Sequence, residues 1–107
     1  KLDYFINFPP EVFENLESFL SSIILDKLII ITKFGKKKYN NAIFQSDSVI
    51  LFGSEIIGLP KKFLKTYSDK TYKIPMVKKS RSLNLSNAVS IVAYEAWKNI
   101  NFSGAAL

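Results

Sequence analysis

Two uninterrupted apolar runs constrain the fold of this 107-residue chain more than any other feature of its sequence. Residues 28–31 read LIII and residues 49–52 read VILF, with no polar residue in either run. Such runs are typical of short strands that are buried on both faces. A third, shorter strand is predicted at residues 72–74, where Pro75 stops it. Fully buried strands occur in parallel sheets that helices cover on both sides.

Helical patterns separate these strands. After Pro9 and Pro10, apolar residues recur at helical spacing, with acidic residues near the start, where the helix dipole favours them. The apolar positions of this helix are Val12, Phe13, Leu16, Phe19, Leu20 and Ile23. Pro60 suits the first turn of a short helix, and residues 36–41 (KKKYNN) indicate a polar, basic connection. Alternating strands and helices predict an α/β fold with a parallel, doubly wound sheet.

The last predicted helix begins near Asn84 and ends at about Ile100. One apolar stripe consists of Leu85, Ala88, Val89, Val92 and Ala96. Further apolar residues lie elsewhere on its circumference, namely Ile91, Ala93, Tyr94, Trp97 and Ile100. A helix that is apolar around most of its circumference needs two partners. We expect one to be the sheet and the other a second copy of the chain, in a two-fold homodimer with Tyr94 and Trp97 at the interface.

The composition excludes several kinds of site. The chain has no His and no Cys, which removes Ser-His-Asp and Cys-His nucleophile systems, common zinc sites and disulfides. We therefore expect no metal. No apolar run is long enough to cross a bilayer and no signal peptide is evident, so we expect no membrane partner and a cytoplasmic location. The remaining side chains suit a reaction whose difficult bond is already activated in a cofactor.

Charge is divided unevenly along the chain. Residues 1–26 contain one Lys and five acidic residues, whereas residues 27–107 contain fourteen Lys or Arg and four acidic residues. A solvated Lys-rich surface and a phosphate-contacting face both account for this, and composition does not choose between them. Arg81 is the only Arg beside fourteen Lys. Its planar guanidinium suits a bidentate contact with RNA, with a structural hydrogen bond to a carbonyl as the alternative.

Two motifs follow predicted strands. Residues 51–60 read LFGSEIIGLP and residues 74–88 read IPMVKKSRSLNLSNA, and in each an apolar run ends in Gly or Pro before polar groups. Ligands bind outside the carboxyl ends of strands in open α/β sheets, so both motifs predict one shared site. Together with YEAW at residues 94–97, they resemble motifs 2 and 3 of the SPOUT RNA methyltransferases. The resemblance is closest to small SpoU-type enzymes that methylate the ribose 2′-hydroxyl of the tRNA wobble nucleotide. It covers residues 49–107 and extends more loosely to residues 2–4.

The resemblance implies one SPOUT domain over residues 1–107, a C-terminal trefoil knot and S-adenosylmethionine as cofactor. It places Ile31, Gly53, Ile74 and Ser82 against the cofactor, largely through backbone atoms. Without the resemblance, the sequence favours a turn glycine at position 53 and core residues at Ile31 and Ile74. At Gly53 the absence of a Cβ would let a ligand approach the backbone closely.

The resemblance also implies catalytic roles for Glu55, Ser82 and Asn84 and an RNA contact for Arg81. The alternatives are a helix-start or surface carboxylate for Glu55 and a helix cap for Asn84, and a cap is compatible with a catalytic role.

The resemblance further implies that these residues lack an N-terminal βαβ unit, which in the family carries motif 1 and an Arg near the target hydroxyl. We therefore expect these 107 residues alone to be inactive. The leading functional hypothesis is 2′-O-ribose methylation of tRNA at the wobble position. The alternatives are the same chemistry on ribosomal RNA, and a non-catalytic RNA-binding module that retains the fold.

Overall fold

The computed structural model describes residues 4–8, 13–53, 59–76 and 85–106. The elements are β1 (Tyr4–Phe8), α1 (Phe13–Ser21), β2 (Leu28–Ile31), β3 (Lys37–Lys38), β4 (Val49–Gly53), α2 (Lys61–Thr66), β5 (Thr71–Lys73) and α3 (Leu85–Asn99). Short 3-10 turns precede β2, follow β3 and precede β5. Within the described ranges, no helix combines the length and the apolar character needed to cross a membrane. This alternation confirms the predicted α/β class.

All described strand pairs are parallel, in the order β1-β4-β2-β5-β3. Strand β2 is central, with Ile31 level with Phe52 of β4 on one side and with Tyr72 of β5 on the other. The side chains of β2 and of Val49–Phe52 are all buried, as the uninterrupted apolar runs predicted. The predicted parallel sheet is therefore confirmed.

Helices cover both faces of the sheet. On one face, α1 and α2 pack on a cluster that consists of Leu16, Leu28, Ile30, Val49, Leu51, Leu59, Phe63 and Leu64. On the other, α3 packs on a cluster that consists of Ile29, Ile31, Ala42, Phe44, Ile50, Phe52, Val92 and Ala96. Alternate residues of β2 and β4 enter opposite clusters, because successive side chains of a strand point to opposite faces. The sheet is thus the middle layer of a three-layer structure.

Helix α3 follows the predicted range within a residue at each end. Val92 and Ala96 are completely buried, and Ala88 and Val89 pack beside them, so these four residues of the predicted stripe face the sheet. Tyr94 is 64% exposed, as expected. Trp97 differs from the prediction because it is only partly exposed. Its Nε1 donates to the Ser103 carbonyl at 2.9 Å, and its ring lies edge-on to Phe102.

Two local predictions were wrong in detail. Residues 36–41 were expected to be a connection only, but Lys37–Lys38 forms an exposed edge strand that pairs with β5. Edge strands commonly carry lysines, which discourage pairing with other chains, so the polar sequence hid the strand. The third strand is Thr71–Lys73 and not 72–74, since Thr71 already pairs with Ile30. Ile74 consequently lies just beyond the strand end.

Candidate functional site

Three neighbouring strands end together at the carboxyl edge of the sheet. Strand β4 ends at Gly53, β2 at Ile31 and β5 at Lys73, immediately before Ile74. Ile31 is level with Phe52 and Tyr72, so Gly53 lies one residue beyond that level on β4. Adjacent strands are about 4.8 Å apart, which places the ends of β4 and β5 roughly 10 Å apart, on either side of β2. The structure thus brings Ile31, Gly53 and Ile74 to one edge.

The three residues differ in what they offer a ligand. The Ile31 side chain is buried in the cluster beneath α3, and the partly buried Ile74 packs against the same cluster. Their side chains therefore belong mainly to the core, and what they offer at the edge is backbone and a small apolar surface. Gly53 is partly exposed and has no side chain to cover its peptide groups. Its φ is not positive, so the strand conformation alone does not require glycine there.

A loop of residues 32–36, the edge loop, lies against the end of β5. Thr32 N donates to the Tyr72 carbonyl at 2.9 Å, and Gly35 N donates to the Thr32 carbonyl at 3.1 Å. A Cβ on Gly35 would lie 2.2 Å from the Tyr72 carbonyl carbon and 2.6 Å from Lys73 N. Both are backbone atoms, so only glycine allows this approach. Gly35 therefore fixes the position of the loop relative to β5.

Thr71 anchors the same junction from inside the protein. It is 2% exposed, accepts a hydrogen bond from Lys36 N at 3.2 Å and donates to the Ser68 carbonyl at 2.6 Å. Because it pairs with Ile30, its side chain points to the face that α1 and α2 cover. The edge loop is therefore tied to β5 through both its backbone and this buried hydroxyl.

Sequence reasoning missed Gly35 and Thr71. Gly35 lies shortly after the apolar run of β2, and Gly53 lies directly after the apolar run of β4. This similarity between the two strand ends was the signal in the sequence that could have identified Gly35. Thr71 gave no signal, because its role depends on a contact with Lys36 that sequence spacing does not reveal.

The remaining predicted site residues, Glu55, Arg81, Ser82 and Asn84, lie outside the described residues. Their assignments stay predictions. The part of the chain that the structure describes contains no cluster of three or more Asp or Glu side chains that could hold a metal ion. What the described edge offers is peptide groups, apolar strand ends and nearby lysines. Such an edge suits a ligand that has both aromatic and polar parts.

Comparison with known protein families decides what kind of domain this is. Residues 2–94 match the model of the SpoU rRNA methylase family. The chain belongs to that family. A family relative from Escherichia coli K12, tRNA (cytidine(34)-2′-O)-methyltransferase, is 38% identical over 91 residues, covering 84% of this chain and 58% of the relative. The chain therefore spans less than two thirds of the length of that SpoU family protein.

Solved structures of SpoU-type proteins share the fold. One, which concerns the 2-OH methylation of C/U34 on tRNA, superposes with a TM-score of 0.70 and 34% identity, over 79% of this chain and 52% of that chain. The SpoU methyltransferase AviRb from Streptomyces viridochromogenes, in complex with AdoMet, superposes with a TM-score of 0.60 and 29% identity. That match covers 88% of this chain and 36% of AviRb. The parallel-sheet α/β architecture is thus the one that these SpoU family members have.

Proposed function

We propose that the protein transfers a methyl group from S-adenosylmethionine to the ribose 2′-hydroxyl of the tRNA wobble nucleotide. The observation that carries the proposal is the convergence of Ile31, Gly53 and Ile74 at one edge of three adjacent parallel strands. Ligands of open α/β sheets bind at such an edge. The Escherichia coli relative is named for this reaction at cytidine 34, and one superposed structure concerns C/U34 methylation on tRNA.

The described edge suits this cofactor. Gly53 leaves peptide groups uncovered, while the strand ends at Ile31 and Ile74 offer apolar surface for an adenine ring. When bound, the cofactor supplies a methyl group on a sulfonium, which is already activated for transfer. The chain must then bind and orient the two substrates, and the packing of Gly35 on the backbone of Tyr72 and Lys73 holds the end of β5 in place next to Ile74. The complex of AviRb with AdoMet supports this choice of cofactor.

The residues beyond the strand ends complete the proposed site. We propose that Ser82 contributes to the cofactor pocket and that Glu55, Ser82 and Asn84 order the reacting groups. We propose Arg81 as an RNA contact, because a guanidinium can bind a phosphate through two parallel hydrogen bonds. Conversion of Arg81 to Lys, which keeps the charge but removes this geometry, should reduce methyl transfer far more than Lys36→Ala.

We propose two further properties, a trefoil knot and a homodimer. Strands β2 and β3 are consecutive in the chain and are joined only by the edge loop, yet β5 lies between them in the sheet. The chain that forms β5 is therefore inserted between two strands that a short loop connects, and this order supports a threaded C-terminal segment. Tyr94 is 64% exposed on the outer side of α3, with its ring centroid 5.9 Å from that of Trp97. Exposed aromatic side chains such as Tyr94 are common anchors of subunit interfaces. We also propose a cytoplasmic location, because the proposed substrate is tRNA.

Ribosomal RNA is the second candidate substrate. The matching family model is described as an rRNA methylase family, so the same chemistry on another RNA is consistent with the family. Both substrates present a ribose hydroxyl, so the same edge would serve either reaction.

A transfer assay separates the candidates. The protein as encoded is incubated with S-adenosylmethionine that carries a labelled methyl group, and with either purified tRNA or ribosomal RNA. We expect label in tRNA only. Label in ribosomal RNA alone would replace the tRNA proposal with the rRNA one. Cofactor binding without transfer to either RNA, or no cofactor binding at all, would contradict methylation of both substrates.

A further inference from the structure

The edge loop presents one large aromatic side chain to solvent. Phe34 is 65% exposed, although a phenylalanine normally gains free energy by leaving water. The Nζ of Lys33 lies 5.2 Å from the centroid of its ring. A cation near one face polarises the ring and leaves the remaining surface available to a flat partner. The exposed ring is therefore available to a binding partner, and the charge of the neighbouring residues indicates the chemistry of that partner.

The position of Phe34 is fixed by the backbone on both sides. Phe34 N donates to Thr32 Oγ1 at 3.2 Å, and the next residue, Gly35, packs directly on the backbone of β5. A ring on a rigid loop loses little conformational freedom when it binds a ligand. The loop begins immediately after Ile31, so Phe34 lies three residues along the chain from one of the proposed cofactor residues.

The charge around Phe34 favours a polyanion over the cofactor. Lysines occupy positions 33, 36, 37 and 38, and the sequence has no acidic residue between Asp26 and Asp47. All four side chains are exposed. Within the described ranges none of them forms an ion pair, and only Lys33 and Lys37 contact an aromatic ring. S-adenosylmethionine carries a net positive charge through its sulfonium, so this cluster disfavours it, whereas RNA phosphates are attracted to it.

We propose that Phe34 is a stacking platform for an unpaired base of the RNA substrate, with the lysines of residues 33–38 on the adjacent phosphates. Single-stranded RNA is commonly bound by aromatic side chains that stack on splayed bases within a basic surface. This inference rests on the proposed function only for the identity of the RNA. The contact itself requires an exposed base and its phosphates, and does not depend on methyl transfer.

The test is the affinity of the protein as encoded for a fluorescently labelled anticodon stem-loop of tRNA, measured by anisotropy at several salt concentrations. Phe34→Ala should weaken binding about ten-fold, the typical effect of removing one stacked base contact. The salt dependence should stay unchanged, because Phe34 carries no charge. Lys36→Ala should instead reduce the slope of log affinity against log salt by about one. Phe34→Trp should restore the affinity.

The matched control is Ile43→Ala, since Ile43 is 81% exposed and lies nine residues further along the chain, between β3 and β4. Its RNA affinity should remain that of the wild type. Equal losses for Ile43→Ala and Phe34→Ala, or a loss below two-fold for Phe34→Ala, would overturn the proposal. So would a Phe34→Ala variant that loses affinity for S-adenosylmethionine but not for RNA, since the ring would then stack on adenine. If Phe34→Ala weakens RNA binding as expected but the wild-type protein methylates no RNA, the proposed function is refuted and the stacking proposal stands.

Discussion

The interior of the sheet and its carboxyl edge are held in place by different forces. In the interior, Ile30 and Ile50 are completely buried in clusters on opposite faces, and side-chain packing fixes the strands. At the edge, the edge loop is fixed by backbone contacts of Gly35 and by the hydroxyl of Thr71. Interior positions therefore require apolar volume, whereas edge positions require backbone access. Substitutions in the two regions should consequently affect different quantities.

The largest loss of stability should come from the interior. Ile30→Ala removes a fully buried side chain from the centre of the sheet, and such changes cost about 2–5 kcal/mol of unfolding free energy. Denaturant unfolding measures this loss. Ile43→Ala, at a site that is 81% exposed, should change the unfolding free energy by less than about 0.5 kcal/mol. Similar losses of unfolding free energy at Ile30 and Ile43 would contradict the claim that buried side-chain packing holds the interior of the sheet.

Gly35→Ala probes the edge through its backbone. The new Cβ would overlap the Tyr72 backbone, so β5 and the edge loop must move apart, and overpacking of this kind costs about 1–3 kcal/mol. Because the shift occurs beside Ile74, affinity for S-adenosylmethionine should fall as well. Gly104→Ala is the matched control, since no atom lies within 4 Å of its added Cβ but its φ is +86°. It should lose stability by about 1 kcal/mol, with unchanged cofactor affinity.

Gly53→Val should separate binding from stability. Gly53 is the last residue of β4 and its φ is not positive, so a β-branched residue introduces no backbone strain, and we expect little change in the unfolding free energy. The added side chain would cover the peptide groups that we propose for the cofactor. Calorimetry should show S-adenosylmethionine affinity reduced by at least about ten-fold, or 1.4 kcal/mol. Unchanged affinity would remove Gly53 from the proposed site.

Tyr94→Glu should have the smallest effect on the fold of one subunit. Its side chain is 64% exposed, so the substitution should change subunit stability by less than about 0.5 kcal/mol. A charge within an apolar interface should nevertheless separate the proposed dimer. Sedimentation at micromolar concentration should show a dimer for the wild-type protein and a monomer for Tyr94→Glu. A wild-type monomer would contradict the proposed assembly, and so would a variant that remains dimeric.

The sequence predicted the interior better than the edge, and the reason is physical. Uninterrupted apolar runs such as residues 28–31 locate buried strands, because only a strand covered on both faces needs them. The stripe of α3 was equally readable, since Val92 and Ala96 recur at helical spacing. Strand β3 was missed because its two lysines resemble a loop.

The edge depends on contacts between residues that are distant in the chain. The strand ends predicted one shared site for the motifs that contain Gly53 and Ile74, but Ile31 could be assigned to it only through the family resemblance. The side chains of the two isoleucines alone indicate core. Gly35 is required by the backbone of Tyr72, which lies 37 positions further along the chain, and no local pattern predicts that approach. Partial burial of Trp97 likewise depends on the backbone of residues 101–104, where Asn101 and Phe102 adopt positive φ after the helix.

The most direct test of the account is the position and chemistry of the transferred methyl group. Unmodified tRNA is treated with the protein as encoded and S-adenosylmethionine, then digested and analysed by mass spectrometry. We expect one 2′-O-methylated nucleotide at position 34, and its yield should fall sharply with Gly53→Val. A methyl group on a base, a ribose methyl at another position, or a yield that Gly53→Val leaves unchanged would contradict it.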